Sequence, residues 1–91
     1  MLACVDVDYR DVGAVAACVA FERWGSPEPA QIAIEEIEEV APYVPGEFYR
    51  RELPCVLAVL ARLDAWPETV IVDGHVWLRN ALVETFATFT G

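Results

Sequence analysis

Lysine is missing from this 91-residue chain, so six arginines carry all the positive charge against fifteen Asp and Glu, leaving a net charge of −9. That balance excludes a nonspecific nucleic-acid coat, which needs a basic surface to neutralise phosphates. If nucleic acid is the partner, divalent cations must offset the carboxylates locally. Histidine occurs once, at His75, and its spacing from Cys4, Cys18 and Cys55 matches no familiar zinc site. Three widely separated cysteines in apolar sequence point to buried reduced thiols rather than a disulfide framework. Long apolar runs are also absent: the longest, Ala14 to Phe21, is too short to cross a bilayer. No basic region precedes the first apolar segment, and Asp6 and Asp8 interrupt it, so no signal peptide is read there. A cytoplasmic protein with no membrane partner is expected.

What is present suits one domain. Hydrophobic residues make up 56% of the chain, enough to exclude disorder and to bury a small core. Leu2 to Tyr9 alternates as a strand, placing Ala3, Val5 and Val7 on one face and Cys4, Asp6 and Asp8 on the other. After turn residues at Asp11 to Gly13, Ala14 to Phe21 is apolar on both faces, the pattern of a sheet interior. The segment Gly25-Ser26-Pro27-Glu28-Pro29 makes the next turn. Gln31 to Val40 then sets Ile32, Ile34 and Val40 against polar neighbours. Four glutamates in that stretch also admit a helix, but two hairpin-like turns before it favour a strand, with the glutamates as an exposed face.

Pro42 to Pro54 is the stiffest part of the chain, because three prolines and Gly46 fix the backbone path. Tyr43, Phe48 and Tyr49 accompany it, and Arg50, Arg51 and Glu52 close it. A helix is predicted to begin at Pro54, where a missing N–H is harmless, leaving Glu52 just ahead of it. Leu53, Val56, Leu57, Leu60 and Leu63 fall at helical spacing, with Ala58, Val59 and Ala61 on the far side. Thr69 to Val72 is a short β-branched strand that runs into Asp73 and Gly74. From Val76 to Phe89 the spacing of Leu78, Leu82, Phe86 and Phe89 admits a helix. Trp24, Trp66 and Trp77 are expected to pack in the core or along an edge.

Three antiparallel strands, a helix and a further strand beside the first make an α/β arrangement with Asp6 near its middle. The second strand and the helix are apolar on more sides than the chain can cover, so the fold is expected to be incomplete or completed by a partner. Asp6, Glu52 and Asp73 can converge at one end of such a sheet. Hard oxygen donors on rigid elements suit Mg²⁺ or Mn²⁺ and phosphodiester hydrolysis. The competing reading makes them a strand-end acid, a helix-dipole acid and a turn acid.

Val5-Asp6-Val7-Asp8-Tyr9, the loop Pro42-Tyr43-Val44-Pro45-Gly46 leading to Arg51-Glu52-Leu53-Pro54, and Val72-Asp73-Gly74-His75 resemble, in this order and spacing, the endonuclease V family. The resemblance covers residues 2–76 and leaves 77–91 as a divergent tail. It implies a ribonuclease H-like fold and DNA-repair nucleases that recognise deoxyinosine, some acting on inosine in RNA. Cleavage would be Mg²⁺-dependent, on the 3′ side of the lesion. It also implies that Asp6, Glu52 and Asp73 bind metal and catalyse, and that Pro42, Tyr43, Val44 and Pro45 form a strand-separating wedge. Gly74 and His75 would lie near the extruded base. In the family the chain continues past this point and supplies a lysine, for which no candidate exists here. The chain is accordingly expected to be a shortened or frame-altered N-terminal half. The alternative is a noncatalytic remnant or interaction module that self-associates through uncovered apolar surface.

Overall fold

Alternation along the first strand, β1 (Leu2–Tyr9), buries Ala3 and Val5 on one face and exposes Cys4, Asp6 and Asp8 on the other, where Leu2 at the strand's start is also buried. A turn closed by the Arg10 N–H donating to the Gly13 carbonyl (3.0 Å) returns the chain as β2, Ala14–Phe21. Gly13 is required there twice over. Its φ is +77°, and a Cβ on it would stand 2.1 Å from the Ile37 carbonyl oxygen. The third strand, β3, is Gln31–Ile37 and pairs antiparallel with β2. This bears out the strand reading of that stretch and ends it three residues short of Val40.

The computed structural model describes residues 1–42, 45, 48–72 and 75–78. Beyond β3 come a helix, α1 (Phe48–Leu60), and two short strands, β4 (Thr69–Val72) and β5 (His75–Leu78). All five strands form one mixed sheet in the order β3-β2-β1-β4-β5, with β4 parallel to β1 and every other pairing antiparallel. The expected three antiparallel strands, helix and further strand beside the first are all present. Donation from the Glu68 N–H to the Met1 carbonyl (2.9 Å) starts the parallel pairing just ahead of β4.

One core lies between α1 and one face of the sheet. Leu53, Val56, Val59, Leu60 and Leu63 recur at helical spacing and meet Ala3, Val5, Ala14, Ala16, Cys18, Ala20, Val70 and Val72. The β2 side chains in this layer are alanines and a cysteine, which let a helix carrying leucine and valine approach closely. Both ends of the helix are tied to the sheet. Near its start the Arg51 guanidinium stacks on the Tyr9 ring of β1, 3.9 Å from the centroid. In the turn after its end, Arg62 pairs with Glu35 and the Asp64 N–H donates to Gln31 Oε1 (3.1 Å), both partners lying on β3.

Several expectations are corrected. The helix begins at Phe48, so Pro54 is inside it and Glu52 is a helical residue rather than one just ahead of the helix. Proline there deletes one bond of the helical ladder, a cost of about 3 kcal/mol in a helix interior. Burial of Glu52 and Leu53 and the Arg51–Tyr9 stack favour the earlier turn. Val59 belongs to the core face, not the outer one. Residues 76–78, at the start of the predicted last helix, pair with β4 instead. Val76 and Trp77 favour extended backbone, and an Asp-Gly pair between two apolar runs is a strong hairpin signal. The rest of that predicted helix lies outside the described residues. Cys4 is exposed on the face of β1 opposite α1, while Cys18 and Cys55 are buried as expected. Trp24 and Trp66 are 67% and 43% exposed, since neither lies on an element that faces α1. Glu35, expected on an exposed face, is half-buried by its pairing with Arg62.

Candidate functional site

The first half of α1 brings three reactive side-chain types within two turns. Arg51 lies over Tyr9 with its Nε buried and without a hydrogen-bond partner, a donor whose burial the aromatic face compensates only in part. Glu52, next to it, is the only charged residue in the buried class among the described residues. One turn on, the Cys55 thiol donates to the Arg51 carbonyl at 3.5 Å. Burial pushes the Cys55 pKa up, the Glu52 carboxylate pushes it further up, and the Arg51 guanidinium partly opposes both. Cys55 is thus a protonated packing residue, neither a nucleophile nor a soft metal ligand.

Asp6 stands on the central strand, exposed, between Val5 and Val7. Its register partner on β2 is Ala17. Val5 pairs in parallel with Val72, so Asp6 and Asp73 are the next residues along β1 and along the chain leaving β4. Asp73 and Gly74 lie outside the described residues, as do Tyr43 and Val44. Pro42 and Pro45 are exposed. His75 opens β5 opposite Val72. Asp8 receives a 2.8 Å bond from Arg10 Nε, which fits a solvated neighbour rather than a further ligand.

Among the described residues, Arg51 and Glu52 lie toward the end of the sheet where β1 finishes. Arg51 reaches Tyr9, the last residue of β1, so the helical turn bearing Glu52 lies at the end where β1 finishes and where β4 leads into Asp73. Within that end the two described acids stand on different sides. Glu52 belongs to the helix covering the Ala3 and Val5 face, whereas Asp6 leaves the opposite face of β1. Among the described residues no three His, Cys, Asp or Glu side chains form a metal-binding group. Asp6 and Glu52 each offer hard oxygen donors of the kind that suit a divalent cation, but from opposite sides of the sheet.

Sequence reasoning missed the Arg51–Tyr9 stack. No spacing rule signals a contact between a strand end and a helix so distant in the chain.

Compared with known protein families, the chain matches the model of endonuclease V over residues 1–79. The match spans all five strands, α1 and each of Asp6, Glu52 and Asp73. This chain belongs to the endonuclease V family, whose members are nucleases of DNA repair.

Proposed function

We propose that the chain carries the nuclease site of this family on a ribonuclease H-like sheet, and that the site serves hydrolysis of the phosphodiester bond 3′ to deoxyinosine in DNA, or to inosine in RNA. The observation that supports the proposal is the family match over residues 1–79, which includes Asp6 on the central strand, Glu52 on α1 and Asp73 directly after β4 in the sequence. Asp6, Glu52 and Asp73 would hold Mg²⁺ or Mn²⁺. When bound, the ion supplies water activation and stabilisation of charge on the departing 3′ oxygen.

The chain's own residues provide the rest. Burial of Glu52 on a helix tied to Tyr9 fixes that carboxylate before substrate arrives, which favours preorganised catalysis. Exposed Pro42 and Pro45 frame the wedge, and a rigid loop loses little backbone entropy on insertion between strands. Tyr43 would stack on an exposed base, and Gly74 and His75 would adjoin the extruded one.

Two measurements test this reading. The purified chain is incubated with a deoxyinosine duplex and Mg²⁺ or Mn²⁺ beside Asp6→Ala and Asp73→Ala, and Mn²⁺ binding is followed separately by electron paramagnetic resonance. Nicking and Mn²⁺ binding that both disappear in the variants support the site. Binding without nicking leaves a metal site but removes the enzyme. Absence of both removes the proposal.

A second reading is favoured by one specific observation, the 66% and 60% exposure of Ile32 and Ile34. A noncatalytic module would use that apolar surface to associate with another copy. Light scattering after size-exclusion chromatography decides it, because a monomer at high concentration excludes self-association.

A further inference from the structure

Local chemistry alone would start α1 later than it does. Pro54 is harmless as the first residue of a helix, but inside one it has no N–H for the carbonyl four residues back, and α1 nevertheless begins at Phe48. The added turns are disfavoured a second way. Arg50 and Arg51 stand near the positive end of the helix dipole, and the first turn holds no acidic residue to offset them. Residues 48–53 therefore need something outside the helix to keep them in it. Leu53 contributes by burial in the core, but it adjoins Pro54 and would stay beside the sheet in a helix beginning there. The contact that reaches further back is Arg51 on Tyr9. Tyr9 ends β1 on the face of Ala3, Val5 and Val7, half-buried against the core, with the Arg51 guanidinium 3.9 Å from its ring centroid. Arg51 Nε is buried there without a hydrogen-bond partner, so the negative face of the ring, rather than an acceptor atom, offsets its lost hydration.

We propose that Tyr9 is a positioning residue: the face of its ring, by holding the Arg51 guanidinium, sets the start of α1 at Phe48 and so keeps Glu52 inside the helix. A leucine of similar bulk offers no such face. Without the ring, α1 begins at Pro54 and Glu52 joins the connector ahead of it, where its carboxylate has no single direction. The consequence for catalysis rests on the nuclease reading above, whereas the place where the helix starts does not depend on it.

Cys55 reports on this turn. It is 1% exposed and its thiol donates to the Arg51 carbonyl at 3.5 Å, whereas Cys18, on β2 in the same core, reports on opening of the whole fold. In a Cys4→Ala background, modification of both thiols by a small methanethiosulfonate is followed by mass spectrometry of peptides. Tyr9→Leu and Arg51→Met are each expected to speed Cys55 by roughly tenfold with Cys18 unchanged, and Tyr9→Phe, which keeps the ring, to stay within about twofold of the parent. Mn²⁺ binding, read by electron paramagnetic resonance, should weaken in Tyr9→Leu and be retained in Tyr9→Phe. An unchanged Cys55 in Tyr9→Leu, a Tyr9→Phe chain as labile as Tyr9→Leu, or a Cys18 that speeds up in step with Cys55 overturns the proposal. So does Mn²⁺ bound as tightly by Tyr9→Leu as by the parent. A parent that binds no Mn²⁺, but whose Cys55 rates follow the stack, removes the nuclease reading and still supports Tyr9 as the residue that sets the helix start.

Discussion

The two faces of the sheet use the same strands with opposite choices of side chain. Beneath α1, β1 and β2 present Ala3, Val5, Ala14, Ala16, Cys18 and Ala20, nearly all small and all buried. The bulk of that interface comes from the helix, through Leu53, Val56, Val59 and Leu60, and from Leu63 in the turn after it. On the reverse, β2 and β3 present Val15, Val19, Ile32 and Ile34, larger and branched, with nothing among the described residues lying over the two isoleucines. Small residues in a sheet make room for a partner already in place. Large branched ones at Ile32 and Ile34 stay exposed.

The sharpest way to break this contrast is to truncate one residue on each side. Leu60→Ala removes a fully buried side chain from the closed face and is expected to cost about 2 to 5 kcal/mol. That is a large share of the total stability of a small domain. Ile34→Ala removes an exposed one and should shift stability by less than about 0.5 kcal/mol. Urea unfolding followed by circular dichroism checks both. Comparable losses in the two variants would show that the reverse face is covered in solution.

Thiol chemistry sharpens the contrast further. Burial, and secondarily the neighbouring Cys4 thiolate, push the Cys18 pKa up from 9.0 to about 11. A thiol reacts through its thiolate, so the buried Cys18, with its pKa raised, should be modified more slowly at pH 8 than the exposed Cys4. The same shift links to stability. Between pH 9 and about 11 the unfolded chain gives up the Cys18 proton while the folded chain keeps it, so stability falls as pH rises through that window. The loss is on the order of 2 to 3 kcal/mol at most. Cys18→Ala should flatten the alkaline limb of a stability–pH profile, and Cys4→Ala should leave it steep.

The turn joining β1 to β2 gives a smaller effect. Gly13→Ala meets both a positive φ and a carbonyl oxygen 2.1 Å from the new Cβ, so the end of β3 has to move. A destabilisation of about 1 to 3 kcal/mol is expected by thermal denaturation. Gly25 also has a positive φ, of 81°, but open space around it. Gly25→Ala should lose less than Gly13→Ala.

Much of this was legible in the sequence, and the gaps have physical causes. Alternation placed β1 and put Cys4, Asp6 and Asp8 on one side, because a period of two maps directly onto sheet faces. It did not say which side of β3 would meet the helix, since Ile32 and Ile34 look like core residues on any hydrophobicity pattern. The observed inner face is Ala33, Glu35 and Ile37, chosen by the pairing register and by Arg62. Asp6 and Glu52 were legible as acids bound for one end of the molecule. That they stand on different sides of the sheet depends on where the helix begins, and Pro54 pointed to the wrong residue. Asp73-Gly74 carried two messages in the sequence, a site motif and a turn, and the pairing of β4 with β5 on either side of it was not expected.

The smallest expected effect concerns what holds the closed face shut. Arg62 pairs with Glu35 across the gap between the turn after α1 and β3, where the Arg62 side chain is 60% exposed and that of Glu35 25%. Solvent screens the arginine end, so the pair belongs among weak surface bridges, and Arg62→Gln should cost no more than about 1 kcal/mol. Because Glu35 is the more enclosed partner, the loss should exceed that from Arg10→Gln, whose bridge to Asp8 is 60% and 63% exposed and spans two residues of one turn. Raising salt should shrink the Arg62→Gln effect, which separates an electrostatic clasp from packing by the arginine stem. An effect that persists unchanged in molar salt would assign the closure to apolar contact alone.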